Sequence, residues 1–384
     1  MGSIRYISGG ESHGSRLVCI LEGLPAGVKV SSDFVNAELK RRQGGYGRGG
    51  RMKIESDRVE FLSGIRFGET IGSPITLSVI NRDWQNWQDR MSAEGCEVGE
   101  RVTNARPGHA DLTGAAKFAR ADVRDILERS SARETTMRVA AGAVCKIFLK
   151  ACGIEISGEV LNVGGVSGEA EIKNRIDAAK ILGDTVGGIF EIKVSGVPAG
   201  LGSHIQWDRK LDAKFAAAFM SIQAIKAVEL GDGFANALKL GSEVHDEIFI
   251  GTRNKEQGIS LTAPTSSQFP VPSSYRIFRK TNRAGGFEGG MTNGEDLIIR
   301  AAMKPIPTLM KPLQTVDIAT KLPTTASKER SDTCAIWAAE VVGEAMAAIV
   351  TADAIVEKFG GDALCDTITN LKNYRERLAR DFGL

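Results

Sequence analysis

Apolar residues recur along this chain in short runs closed by glycine and proline, with a few longer stretches at helical spacing. Residues 16–22, RLVCILE, predict a strand stopped by Gly23-Leu24-Pro25-Ala26-Gly27. Residues 189–196, IFEIKVSG, predict another, stopped by Gly196-Val197-Pro198-Ala199-Gly200, which repeats the first turn 173 positions later. Each turn leads through a polar stretch into a helical segment, 33–42 and 208–220. The expectation is one domain over 1–384 built from two related halves, about 1–170 and 171–350, with a charged C-terminal tail over about 360–384. Chance is the competing explanation, because Pro-Gly turns end many strands.

Strands are expected at 73–81, 156–168 and 246–251, and a loop at 94–111. Residues 114–128 show apolar positions at helical spacing, predicting one helix. Ser131 and Glu134 have capping-box spacing just ahead of the helical run TTMRVAAGAVCKIFLKAC. A long helix is expected over about 333–358, stopped by Gly360-Gly361, with Ala338, Val341, Val342, Ala345 and Ile349 as a core face. The tail LKNYRERLARDFGL reads as a solvated surface helix or a subunit contact. Irregular alternation of strands and helices, with several strand-rich runs, gives an α+β or a layered α/β class.

Charge narrows the function. The chain has 384 residues, 49 basic and 47 acidic, for a net charge of +2. A general nucleic-acid binder carries a basic excess across its domain; here the excess is local, in KRRQGGYGRGGRM (40–52). Six cysteines without C-x-x-C spacing and four dispersed histidines predict no metal site. The N-terminal stretch lacks an apolar signal core, and no apolar run approaches the ~20 residues that cross a bilayer. A cytoplasmic protein without membrane attachment is expected.

Five segments concentrate glycine with reactive polar groups: GGESHG (9–14), the basic stretch 40–52, RPGHAD (106–111), ERSSARET (128–135) and KERSDTC (328–334). The last two open helices with Arg and Ser, an arrangement that favours anions because free N–H groups and the dipole point outward. Arginine adds a bidentate fork for phosphate and carboxylate. Each segment alone has an ordinary structural reading, and their joint occurrence is the signal. GGYGRGG (44–50) follows no strand, so a dinucleotide fingerprint has little support. NRAGGFEGGMTNG (282–294) offers backbone that can fold closely against a ligand.

Taken together, GESHG, RRQGGYGRGGRM, RPGHAD, RSSARETTMRVAAGAV, SIQAIKAVELGDGF, AGGFEGGMTNG, KPIPT and RSDTCA resemble the chorismate synthases, in the family's order over nearly the whole chain. One departure stands out: Thr333 occupies a position where the family usually has Pro. The resemblance implies a sheet-and-helix (β-α-β) sandwich of two related halves, assembled as a homotetramer. It implies anti-1,4-elimination of phosphate from 5-enolpyruvylshikimate 3-phosphate, giving chorismate without net redox change, with reduced FMN lending electron density to the allylic system.

By the same resemblance, Arg42, Arg48, Arg106, Ser131, Arg133 and Arg330 would bind the anionic substrate. His13 would protonate or stabilise the departing phosphate, and His109 would stabilise the anionic reduced flavin. Asp332, with Ser12, would help remove the ring proton. The flavin site would comprise Arg129, Ser130, Ser131, Gln223, Ala224, Gly289, Lys304, Pro305, Ile306, Pro307, Thr308 and Arg330. NADPH would enter only as an indirect source of reducing equivalents, through a separate flavin reductase. His204 and His245 match no motif, and Lys40 and Arg41 are expected to be solvated charges. Two other readings compete: an arginine–glycine RNA-binding element at 40–52, and an FMN oxidoreductase with net turnover of NADPH.

Overall fold

A computed structural model describes residues 4–49, 56–95, 98–252, 275–327 and 332–384. Two four-stranded antiparallel sheets dominate it. The first holds β1 (Arg5–Gly9), β2 (Arg16–Glu22), β3 (Val59–Ser63) and β4 (Ile75–Ile80), in the order β1-β2-β4-β3. The second holds β5 (Glu155–Val163), β6 (Gly188–Ser195), β7 (Ile225–Leu230) and β8 (Leu297–Met303), in the order β5-β6-β8-β7. This mixture of helices and antiparallel sheets is the α+β class.

Period-two alternation puts one apolar face of each sheet inward. In the first sheet Leu17, Cys19 and Leu21 are buried opposite Val79, Leu77 and Ile75. In the second, Phe190, Ile192 and Val194 are buried opposite Ala301, Ile299 and Leu297. The helix α4 (Thr135–Ala151) packs on β2 and β4, and α7 (Ile336–Phe359) packs on β5 and β6. The two helices pack on each other so closely that a Cβ on Gly142 would come within 2.4 Å of the Ala345 Cβ. Only glycine permits that approach. Two more helices, α1 (Ser32–Gln43) and α6 (Leu211–Met220), complete the helical layer against α7.

The repeated turns are locked identically. Thr70 Oγ1 donates to Pro25 O (2.6 Å) and accepts from Val28 N (2.9 Å). Thr292 Oγ1 donates to Pro198 O (2.7 Å) and accepts from Leu201 N (2.9 Å). Each threonine closes a short hairpin, 65–70 and 287–292, with left-handed residues at its tip: Phe67 and Gly68 in one, Gly289 and Gly290 in the other. We propose that the halves are related units. The strand β5, from Glu155, already belongs to the second sheet.

Two sequence expectations need correction. The run 114–128 is not one helix: α2 (Asp111–Phe118) ends at Ala119, which is left-handed (φ 52), and α3 (Arg124–Ser130) starts anew. Nor does the capping box form. Ser131 accepts from Arg133 N, but Glu134 turns to Arg138 and Gln223, and a single 3-10 turn (Ala132–Glu134) leads into α4.

The helix α5 (Glu169–Ile181) covers part of β5. At the C-terminus, α8 (Leu364–Phe382) buries Leu371 and Leu378. Its segment braces both repeated turns: Leu364 N donates to Ala26 O, while Tyr374 Oη and Arg375 donate to Ala199 O and Gly196 O. Among the described residues, no helix is long and apolar enough to cross a membrane.

Candidate active site

All five polar segments contribute to one cavity of ≈ 440 Å³. The β1–β2 loop brings Ser12 and His13, and the end of α1 brings Arg42. Arg48 and Gly49 follow it, and the turn before α2 supplies Arg106 and His109. Ser130, Ser131 and Arg133 enter between α3 and α4. The second half contributes Gln223 and Ala224, the segment 306–308, Asp332, and one face of α7. That face includes Ala338 and Val342, so part of the small-residue stripe read as core is cavity wall.

The arginines are held from behind by carboxylates. Asp57, fully buried, accepts from Arg42 Nη2 (3.3 Å) and Arg133 Nη1 (2.7 Å). Arg42 also donates to Thr136 Oγ1 (2.6 Å), and Arg133 donates to Asn81 Oδ1. Burial pushes the Arg42 pKa down to about 10; Asp57 opposes that shift, while Arg133 and Arg48 add to it. An anion arriving here meets guanidinium groups already paid for in desolvation and orientation.

Asp111 plays the same part for the RPGH turn. It accepts from Arg106 N (3.0 Å), Arg106 Nε (2.8 Å) and His109 Nδ1 (2.5 Å). Burial raises its pKa, but the His109 and Arg106 bonds outweigh burial and hold the carboxyl well below the usual range. Across the cavity, Arg48 Nη1 reaches Asp332 Oδ2 (2.7 Å), and Gly49 N donates to Asp332 Oδ1 (2.6 Å). His13 lies on the buried Glu128, with Nδ1 2.9 Å from Oε1, and its ring stacks on Trp87 at 4.0 Å.

The basic stretch is folded through Gly49, unlike an RNA-binding tail, and its residues 50–52 lie outside the described residues. Gly45 and Gly47 have positive φ, and a Cβ on them would come within 3.0 Å of Trp337 and 2.9 Å of Ile176. Thr333 contributes directly: its N–H donates to Gly47 O at 2.8 Å, a bond that proline at this position lacks the donor to make. Arg41 is not merely solvated. It bonds Glu344 through both terminal nitrogens at 2.7 Å and Glu38 at 2.9 Å.

Of the residues expected at a flavin site, Ser130, Ser131, Gln223, Ala224, Ile306, Pro307 and Thr308 line the cavity. Lys304 stands just outside and anchors the RPGH turn through Gly108 O (2.5 Å), with Pro305 exposed beside it. Arg129 is turned away: its guanidinium binds Ser8 O and Gly10 O at the end of β1. Gly289 is exposed at a hairpin tip and is not in the cavity lining. Arg330 lies outside the described residues. The backing residues Asp57, Asp111, Glu128 and Trp87 were not foreseen. Asp111, inside RPGHAD, and Glu128, the first residue of ERSSARET, lay within motifs that the sequence singles out; Asp57 and Trp87 did not.

A flat, polar-edged cofactor fits what is present. Ala224 is left-handed (φ 67) beside the register shift at Ala302/Met303, which places Gln223 on the wall. Gln223 Nε2 is held by Glu134 (3.1 Å), leaving Oε1 buried without a partner, an acceptor suited to a ring N–H. Ile222, Met303, Ile306 and Val342 supply apolar surface for a ring, and the arginines supply charge for phosphate. Among the described residues no cluster could hold a metal ion.

The comparisons agree with this architecture. A sequence model of the family described as chorismate synthase matches residues 4–356. A chorismate synthase of Geobacter metallireducens is 52% identical, covering 98% of this chain and 99% of its own. That of Thermoanaerobacter pseudethanolicus is 53% identical, covering 97% and 98%. A crystal structure of a chorismate synthase superposes with a TM-score of 0.75 at 38% identity, covering 99% of both chains. The chain therefore belongs to the chorismate synthase family of phosphate-eliminating lyases.

Proposed function

We propose that this cavity carries out anti-1,4-elimination of phosphate from 5-enolpyruvylshikimate 3-phosphate, with reduced FMN, in the cytoplasm and as a homotetramer. The observation that carries the reading is the convergence of Arg42, Arg48, Arg106 and Arg133 with His13, His109 and Asp332 in one cavity. The substrate has a phosphate and two carboxylates, and each charge-assisted bond to them contributes about 1.5–3 kcal/mol.

Ser130, Ser131, Gln223, Ala224 and residues 306–308 would hold the flavin, against the apolar wall. When bound, reduced flavin supplies transient electron density to the allylic system and recovers it. His13 donates a proton to the departing phosphate from its Nε2, since Nδ1 is engaged by Glu128. His109, with Nδ1 on Asp111, offers its other nitrogen to the anionic edge of the reduced ring. Asp332, with Ser12 also on the cavity wall, assists removal of the ring proton. By the family resemblance Arg330, which lies outside the described residues, would also bind the anion, Lys304 would brace the RPGH turn beside the cavity, and Arg129, Gly289 and Pro305 would contribute from outside its lining. NADPH would serve only a separate reductase that supplies the reduced flavin.

The test is anaerobic: enzyme, reduced FMN and substrate, followed by chorismate absorbance and phosphate release. Equimolar products with no lasting flavin oxidation are expected. Folded protein that gives no turnover sinks the reading, and stoichiometric NADPH consumption would make it an oxidoreductase.

A further inference from the structure

His13 is more constrained than a loop histidine needs to be. Both carboxylate oxygens of Glu128 lie within reach of its Nδ1, at 2.9 and 3.0 Å. Glu128 Oε2 also accepts the backbone N–H of His13 (2.9 Å), and Glu128 O accepts that of Ser12 (2.9 Å). The carboxylate side chain is only 2% exposed. One α3 residue therefore fixes two consecutive residues of the GESHG loop, main chain and side chain together. The opposite face of the imidazole is covered by Trp87, stacked at 4.0 Å and 28°. Arg124, one turn earlier on α3, donates to Glu128 Oε1 (2.9 Å) and lies over the same Trp87 ring at 4.9 Å.

We propose that Glu128 is the positioning residue of His13: it fixes the tautomer with Nδ1–H on the carboxylate, leaves Nε2 for the leaving phosphate, and stabilises the charged imidazolium before the proton is given up. This rests on the role assigned to His13 above. In the step, the carbon–oxygen bond to phosphate breaks and its electron pair leaves with the phosphate oxygen. The Nε2 proton moves to that phosphate, and His13 ends neutral, still donating Nδ1–H to Glu128. Glu128 itself stays ionised: burial raises its pKa, but bonds from His13 and the Arg124 charge bring it below the usual value. His13 then regains its proton from solvent. A carboxylate on Nδ1 holds the imidazole in one orientation and tautomer and stabilises positive charge on the ring.

Arg124 acts in the opposite sense, competing for the same carboxylate and adding positive charge beside the ring. The other charged groups of the region are Glu11 of the same loop and, on the cavity walls, Arg42, Arg48, Arg106, Arg133, His109 and Asp332. Trp87 is neutral. Two single changes on α3 therefore separate the carboxylate from its cation while leaving those groups in place.

The chain has four histidines, so imidazole resonances can be followed one by one in the protein without substrate. In the neutral ring, His13 should carry its proton on Nδ1 and leave Nε2 bare, and Arg124→Gln should keep that tautomer because the carboxylate stays. In Glu128→Gln the amide no longer enforces it, and the ring nitrogen resonances should show a mixture of tautomers. Under anaerobic turnover with reduced FMN, kcat should fall roughly tenfold or more in Glu128→Gln, with KM changed less than kcat. Glu128→Asp should recover part of the lost kcat. An unchanged tautomer in Glu128→Gln, with kcat lost, would make Glu128 a structural residue and overturn the proposal. So would a bare Nδ1 in the unsubstituted protein, which remains readable if Glu128→Gln fails to fold. His13→Ala separates the two levels: full turnover there removes His13 from catalysis, whereas lost turnover with an unchanged tautomer in Glu128→Gln rejects Glu128 alone.

Discussion

The two halves of the molecule have the same sheet order and the same threonine-locked turn, yet they build opposite walls of one cavity. The first half presents Arg42, Arg48, Arg106, Arg133, His13 and His109; the second presents Ile222, Met303, Ile306 and the α7 face, with Asp332 as its charged group in the lining. A shared framework therefore constrains where a wall stands and leaves its chemistry to the loops. The charged wall needs a buried carboxylate behind its cations, which costs desolvation. The apolar wall needs only packing. Substituting each kind of support should expose that asymmetry.

The largest effect is expected from the charged wall. Asp57→Asn leaves Arg42 and Arg133 facing a neutral amide in a fully buried site. Breaking a buried pair from one side costs about 3–5 kcal/mol. Urea unfolding should show that loss, and substrate affinity should fall with it because both guanidiniums lose their orientation. A midpoint unchanged from the parent would mean that the arginines do not depend on Asp57.

The seam between the halves comes next. Glu38 and Arg41 of α1 and Lys146 of α4 meet Glu340 and Glu344 of α7. Burial, then the neighbouring Glu344, raises the Glu340 pKa to about 8. Glu344 is buried too, but Arg41 and Lys146 bring it down to about 2. The folded chain thus keeps a proton on Glu340 between about pH 4.5 and 8 that the unfolded chain has released. Folded stability must then decline as pH rises through that window, by up to about 1.4 kcal/mol per pH unit. Glu340→Gln should flatten the decline, measured as denaturant midpoints at successive pH values; an unaltered slope would place the proton elsewhere.

How much of this was legible in the chain depended on whether the signal was local. Strands such as 16–22 and 75–80 stand out as short runs bounded by turn residues, and the motif residues His13, Arg42, Arg106 and His109 line the cavity. Supports that act across long separations left no local trace of their partners. Asp57 meets Arg133 76 positions away, and Glu128 meets His13 at 115. Arg41 looked like ordinary helix-surface charge because its partner Glu344 is 303 positions distant. The supposed helix 114–128 failed for a different reason: periodicity does not register the left-handed turn at Ala119.

The matched turns sharpen the comparison on a smaller scale. Thr70→Val and Thr292→Val each remove a buried hydroxyl that serves one carbonyl and one N–H. Each leaves those groups short of a partner, at about 1–3 kcal/mol. Equal losses in thermal or urea unfolding are expected from the two variants, with turnover per folded molecule unchanged. A cost in one half only would show that equal geometry does not carry equal energy.

The least effect is expected at the hairpin tips. Phe67 (φ 51) stands where the second half has Gly289 (φ 61), and its ring is 91% exposed with the Arg66 guanidinium 4.6 Å from the centroid. A left-handed side chain costs roughly 1–2 kcal/mol, which Phe67→Gly would relieve. Against that stand the greater chain entropy of glycine, about 0.5–1 kcal/mol, and an exposed cation–π contact of similar size. These terms nearly cancel, so the urea midpoint should shift by less than about 1 kcal/mol. A much larger loss cannot come from contacts within one chain, because the ring makes so few. It would mean that Phe67 is covered in the assembly, and that the first-half hairpin was given a bulky tip for a contact its glycine counterpart does not make.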